Sequence, residues 1–472
     1  MQKKQQVMII GGGITGLTTA YYLQKHIRQY NLPIDVKLIE KSQHLGGKMQ
    51  TYRENGYVIE RGPDSFLERK QSAVRLVKDV GLEHDLVNNA TGKSYVLVKN
   101  RLHPIPGGSI MGIPSKVYPF VTSKLFSVPG KIRAAGDFIL PKSAPVDDQS
   151  LGQFFQRRLG NEVVENLIDP LLSGIYAGDI HQMSLMATFP QFYQIEQKYG
   201  SLVRGMKKST PAQKHTTSAP KKGAFLSFKS GLSNFAEAIQ SKLEPNTVLH
   251  GTVEKITKNA QNQYELFLSS NTTLTSDSIV MAVPHHTVHA MLAEYSFTDC
   301  FKDVPSTSVA TVALSFPKEV VENQIDGTGF VVSRNSDYSI TACTWLHKKW
   351  PHSAPENRAL LRCYVGRPGD ENIVNKSDEE IQEIVLRDLK NSMNIEAKPE
   401  LVLITRWKKA MPQYTVGHLS RMKFVEEELE NQLPGVYLAG CSYRGVGLPD
   451  CIDQGVASVN KVLKFLGHSI EI

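Results

Sequence analysis

Cysteine is scarce in this chain. Five residues in 472, at positions 300, 343, 363, 441 and 451, are odd in number and widely spaced. No C-x-x-C pair occurs, so neither a zinc site nor a disulfide framework is expected, and no metal. Reduced thiols in a cytosol are the simple reading. Long apolar runs are missing as well, since none reaches the ~18 residues of a membrane-spanning helix. The opening MQKKQQVMII has the charge and apolar stretch of a signal peptide. It runs straight into glycines without a small-residue cleavage site. A cytoplasmic protein is expected, at most peripheral to a membrane. There is no internal repeat and no motif that reads RNA or DNA, which sets nucleic acid aside as a partner.

The remaining composition is that of a globular protein, 41% apolar and 21% charged. At 472 residues the chain is too long for one core, and two or three domains are expected. The net charge of +8 is partly local. Residues 204–222 hold six Lys/Arg, one His and no acid. Such a run is a solvated loop, or meets an acidic ligand or anionic membrane.

Val7 to Leu23 reads VMIIGGGITGLTTAYYL. Val7–Ile10 has the character of a buried parallel strand, and Ile14, Leu17 and Tyr21 follow at helical spacing. Between them, Gly11-x-Gly13-x-x-Gly16 fits a dinucleotide turn. Gly11 permits the tight turn, Gly13 lets a pyrophosphate approach the backbone, and Gly16 lets the helix pack on the strand. The free N–H groups at the helix start, where Ile14 and Thr15 follow Gly12 and Gly13, then face the phosphates. A second strand, Ile34–Ile39, ends at Glu40, with Lys41 beside it. A carboxylate there accepts from an adenosine ribose and repels a 2′-phosphate, so the ligand is FAD or NAD.

Gly46-Gly47-Lys48 follows directly. A glycine pair with a cation after the ribose acid resembles the flavin amine oxidase superfamily. The resemblance implies an α/β fold (α+β overall): an FAD-binding, Rossmann-like domain, a sheet-bearing substrate domain and a helical insert. It places Lys48 near the diphosphate or flavin and the backbone of Val253 near the adenine. Val253 lies in an expected hairpin before the strand 277–284. At the far end, Val436–Ala439, Gly440 and Val446-Gly447-Leu448 lead into a helix from about Cys451, whose start faces the flavin. Cys441 stands where many relatives carry an acid. The expected FAD domain comprises 1–62, 228–296 and 401–472, the substrate domain 63–95 and 297–400, and the helical insert 96–227.

Four further segments, ERGPDSFLERK (60–70), PLLSGIYAGD (170–179), MPQYTVGH (411–418) and GVGLPDCI (445–452), resemble the protoporphyrinogen/coproporphyrinogen oxidase family. The likeness is nearest to its Gram-positive bacterial type. That resemblance implies oxidation of coproporphyrinogen III to coproporphyrin III in heme biosynthesis. Six electrons leave as three hydride equivalents to FAD, dioxygen is the acceptor, and hydrogen peroxide is released. Gly62, Pro63, Asp64, Ser65 and Trp407 would contact the flavin. Arg69 and Lys70 would hold propionates, and Gly174 and Tyr364 would face the macrocycle. His418 reads as structural, and no catalytic base is assigned. Prolines leave the insert no long amphipathic face, so any membrane contact is expected to be weak and salt-sensitive, and a reactive macrocycle suits handover to a ferrochelatase-like enzyme. Protoporphyrinogen IX stays open as the substrate. The same architecture also serves amine oxidases and desaturases and, in another class, binding proteins like the Rab GDP-dissociation inhibitors.

Overall fold

The computed structural model describes residues 4–209, 223–321 and 326–468. Most of the basic run lies outside them. The glycine turn sits at the edge of a five-stranded parallel sheet. Its spatial order is Val248–His250, Ile34–Glu40, Gln5–Ile10, Ser278–Met281 and Val436–Leu438. Val7 pairs with Ser278, and Ile10 with both Ile39 and Met281. Three stretches far apart in the chain therefore meet in one sheet.

Alternation along the central strand explains why it is apolar throughout. Val7 and Ile9 face one core with helices Ile14–Tyr30, Ser233–Ser241 and Leu448–Phe465. Met8 and Ile10 face another, under the antiparallel strands Val253–Lys258, Tyr264–Leu268 and Thr273–Ser276. A parallel sheet covered on both faces has no room for a polar row. The expected hairpin is present, with Val253 paired to Leu268 and a register shift between Val253 and Lys255.

The second sheet has seven strands, in the order Leu401–Pro412, Ser306–Pro317, Arg358–Val365, Ile340–Trp345, Gly329–Val332, Tyr95–Val98 and Arg101–Pro104. It recruits strands from both sides of the boundaries expected at 95/96 and 400/401. One face packs on the helix Asp378–Met393 through Ile381, Val385 and Leu389. That helix opens with a capping box between Ser377 and Glu380, which satisfies two otherwise orphaned N–H groups. Leu361, Cys363 and Val365 point to this core. The alternate residues Arg362 and Tyr364 therefore point the other way, toward the cofactor half.

The insert is helical as expected. Leu151–Leu159 and the run from Asn161 to Tyr176 form its centre, the latter widened by one π turn at Val164–Ile168. Inside it Arg158, Asp137 and Glu196 are fully buried, with Arg158 Nε 2.6 Å from Asp137 and Nη1 3.3 Å from Glu196. Among the described residues no helix is long and apolar enough to cross a membrane, and no cluster of side chains could hold a metal ion.

Candidate active site

The glycine turn is shaped by what its neighbours forbid. A Cβ at Gly16 would overlap the Gly11 carbonyl oxygen, so helix and strand meet there only as glycine. At Gly13 the same test finds nothing within 4 Å. The backbone is bare on that side and borders open space. The helix beginning at Ile14 has no side-chain cap and no acid in its first turn. Its first N–H groups are left for an anion.

Glu40 ends its strand beside this turn. Its carboxylate accepts from the Gly12 N–H at 2.7 Å and from the Ser42 N–H at 2.9 Å. A carboxylate has about four acceptor sites, so two remain for ribose hydroxyls. Gly46 bridges to Gly13, bringing the second glycine pair onto the first turn. Lys48 then reaches across to the far end of the chain. Its Nζ donates to the Ala410 carbonyl and lies 3.6 Å from Cys441 Sγ. Lys41, by contrast, stays exposed beside Glu40.

The C-terminal turn closes the same cradle. The last helix starts at Leu448, three residues earlier than expected, with Gly447 before it and no side-chain cap. It packs on the first helix so closely that a Cβ at Gly455 would lie 2.8 Å from the Thr15 carbonyl. Tyr414 of the MPQY segment fastens this turn. Its hydroxyl donates to the Cys441 carbonyl and accepts from the Gly445 N–H, both at 2.7 Å. Val446 and Gly447 are half-buried, and Val446 packs against the core of the insert.

The Gly62–Ser65 segment runs between Lys48 and the second sheet. A Cβ at Gly62 would overlap the Lys48 carbonyl and stand 3.4 Å from the Trp407 ring. Trp407 donates its indole N–H to the Arg61 carbonyl at 2.9 Å. Asp64 does not offer its carboxylate to a ligand. It pairs with Lys349 at 2.8 Å and Arg362 at 3.3 Å, and accepts from the Ser65 hydroxyl at 2.7 Å. Burial alone would raise this carboxyl, but the two cations outweigh that and hold it well below the usual carboxylate range. The Asp64 carboxylate is thus committed within the protein, and its carbonyl accepts from the Ser227 hydroxyl at 2.8 Å.

Arg362 is the hub of this junction. It is buried, donates to the Glu60 carbonyl at 2.7 Å, and donates through Nε to the Tyr364 hydroxyl at 2.8 Å. Tyr364 thus faces the cofactor half, with its hydroxyl pinned. The neighbouring Glu60 is pushed up to about 7 by burial, against hydrogen bonds from the Leu232 N–H and Thr51 hydroxyl.

Lys70 precedes the helix Gln71–Val80 and forms an ion pair with Asp450, in the first turn of the last helix. Arg69 is exposed, with no ion pair among the described residues. Gly174 lies on the helix Asp169–Tyr176, and nothing stands within 4 Å of a Cβ there. Along that helix runs a cavity of about 620 Å³, lined by Leu171, Leu172 and Ile175 and by Phe225. This volume is within the range of small-molecule sites, roughly 300–1,000 Å³. Phe225 in turn lies under Lys349, 5.6 Å from its Nζ, which links the cavity wall to Asp64.

His418 is fully buried and stacks on Tyr414 at 4.0 Å. Its Nε2 lies 2.7 Å from the Tyr443 carbonyl, so the neutral ring donates there, and Nδ1 has no partner. Burial pushes it down to about 4. It is a packing residue, as the sequence suggested.

Sequence reasoning missed Asp450, Lys349 and Arg362. Arg362 carried a signal, as an arginine in the interior of the otherwise apolar strand Arg358–Val365. Lys349 carried none.

These features were compared with known proteins. The model of the flavin containing amine oxidoreductases matches residues 14–463. The chain belongs to that family. It is an FAD-dependent oxidoreductase, and the bare turn at Gly13, the uncapped helix start and the spare acceptors of Glu40 fit that cofactor. A coproporphyrinogen III oxidase of Bacillus subtilis (strain 168) is 56% identical over 98% of this chain and 99% of its own. One from Staphylococcus aureus (strain NCTC 8325 / PS 47) is 44% identical over 97% and 99%. The chloroplastic protoporphyrinogen oxidase 1 of Spinacia oleracea is 32% identical over 98% and 84%. A crystal structure named for protoporphyrinogen oxidase, from Exiguobacterium sp. 255-15, superposes with a TM-score of 0.88. It is 39% identical over 99% of this chain and 100% of that one.

Proposed function

We propose that this enzyme oxidises coproporphyrinogen III to coproporphyrin III with dioxygen as acceptor, as a step of heme biosynthesis. The observation that carries the reading is the likeness to the Bacillus subtilis oxidase over almost the full length of both chains. FAD, when bound, accepts the electrons of each oxidation, two at a time, and dioxygen takes them as peroxide.

The residues have separate tasks under this reading. Gly12 to Gly16, Glu40 and Lys48 hold the cofactor, with Val253 at its adenine and Val446 to Leu448 at its flavin end. Gly62 to Ser65 and Trp407 wall the ring. Arg69 and Lys70 orient the macrocycle through its propionates, since charge-assisted pairs are the strong ones. Gly174 leaves room for a flat ring, and Tyr364 faces it. Four propionates against two would favour coproporphyrinogen over protoporphyrinogen at a basic mouth.

Peripheral membrane contact is also proposed. Tyr118 and Ile139 are 79% and 86% exposed, Val117, Val128 and Ile132 are exposed beside them, and Lys116 and Lys124 flank them. Short apolar faces with cations suit weak, salt-sensitive binding. Handover of product to a ferrochelatase-like enzyme would keep a reactive macrocycle out of solution.

The test is kcat/KM for coproporphyrinogen III and protoporphyrinogen IX, read by porphyrin fluorescence in air. The reading expects both to be oxidised and the former to be preferred. Preference for protoporphyrinogen would reassign the substrate.

A further inference from the structure

The ion pair between Lys70 and Asp450 is not required to hold its two helices together. Ser72 donates to the Pro449 carbonyl at 3.2 Å, and Ala73, Leu76 and Val77 share a core with Cys451 and Ile452. The pair is also far from sealed. The side chains are 38% and 29% exposed. An ion pair in contact with solvent contributes little stability and exchanges partners readily.

Asp450 has a second stabiliser of its own. Its carboxylate folds back over the turn before its helix, where a Cβ at Gly447 would lie 2.7 Å from Oδ2 and one at Gly445 2.8 Å from Asp450 Cβ. Two glycines leave room for the acid. It sits in the first turn of a helix with no other side-chain cap. Negative charge is favoured there, so Asp450 is not stranded when its cation turns elsewhere. Lys70 has three N–H donors and, in this arrangement, one acidic partner. Arg69 beside it is exposed.

We propose that Asp450 is a positioning residue that sets carboxylate affinity: it is the resident counter-ion with which a substrate carboxylate competes for Lys70. It aims the lysine and, by half-neutralising it, weakens its hold on each carboxylate, so product can leave. This rests on the porphyrinogen reading above.

The test uses the FAD-loaded enzyme and coproporphyrin III as a stable tetracarboxylate probe, followed by fluorescence. Asp450→Asn should tighten binding about three- to five-fold, the span of one exposed ion pair. KM should fall in step while kcat changes less. The gain should vanish in a Lys70→Met background, and Asp450→Glu should restore the parent affinity. Unchanged or weaker binding by Asp450→Asn overturns the inference, as does an equal gain without Lys70. Loss of flavin or fold in Asp450→Asn also overturns it, because the pair would then be structural. Should the unsubstituted enzyme itself neither bind coproporphyrin III nor oxidise its porphyrinogen, the functional reading fails and the inference goes with it.

Discussion

The two halves of this molecule hold their ligands by different means. The cofactor half uses backbone. Its turn at Gly13 is bare, its helix start is uncapped, and Glu40 is oriented by main-chain N–H groups. On the proposed reading, the substrate half uses side chains carried in from distant segments. Asp64, Lys349 and Arg362 come from three segments to make one buried ionic cluster, and Lys70 and Asp450 from two more to pair at the proposed mouth. A ligand that never changes can be met by a fixed turn. A ligand that differs between relatives is met by residues that can be exchanged one at a time.

Glycine substitutions give the largest effects and test the first half of that contrast. Gly16→Val should yield no folded protein, since even a Cβ collides with backbone. Gly13→Val should fold with an unchanged circular dichroism spectrum yet be isolated colourless. Its FAD affinity should fall at least about 100-fold, or about 2.8 kcal/mol. A yellow Gly13→Val protein would show that the cofactor lies elsewhere.

The brace around Asp64 tests the second half. Asp64→Asn leaves Lys349 and Arg362 without their anion, and breaking a buried pair costs about 3–5 kcal/mol. Denaturant unfolding should show that loss. A change under about 1 kcal/mol would mean the brace is a surface pair.

Acid acts where the halves join. His285 and His418 are both pushed down to about 4 by burial. A base with a depressed folded pKa contributes stability above its unfolded value and loses it as pH falls through about 6.5 toward 4, on the order of 3 kcal/mol each when complete. Glu60, raised to about 7, works the other way: its contribution is present below its ordinary range and lost as pH rises toward 7. Two histidines against one glutamate predict a lower Tm at pH 5 than at pH 7.5. A higher Tm at pH 5 would mean that Glu60 prevails.

Legibility followed the same division. The glycine turn, Glu40 and the second glycine pair are short patterns readable in place, although the contacts that use them, Gly12 with Glu40 and Gly13 with Gly46, join separate segments. The strand alternation at Val7–Ile10 was readable for the same reason. The domain boundaries were less so, because Leu401–Pro412 reads as a strand without revealing that its partner is Ser306–Pro317. Lys349 was invisible: its partner Asp64 lies far away in the chain, and no spacing rule links them. Asp64 is expected as a cofactor contact because its segment reads as a unit, and that pattern does not reveal that its carboxylate is taken by Lys349 and Arg362.

The smallest effects belong to the mouth and the outer surface. Arg69→Ala should raise KM for coproporphyrinogen about two- to five-fold with little change in kcat, as befits an exposed charge. Val128→Ser with Ile132→Ser should leave activity in detergent-free buffer intact and lower binding to anionic vesicles.

On the proposed reading, the two halves meet at a flavin that a porphyrinogen, and not an amine, can reduce. The decisive experiment is anaerobic addition of coproporphyrinogen III to the purified yellow enzyme. The visible flavin band should bleach rapidly and return on admitting air, and a panel of primary and secondary amines should leave it unbleached. Bleaching by an amine while the porphyrinogen leaves the band untouched would contradict that reading.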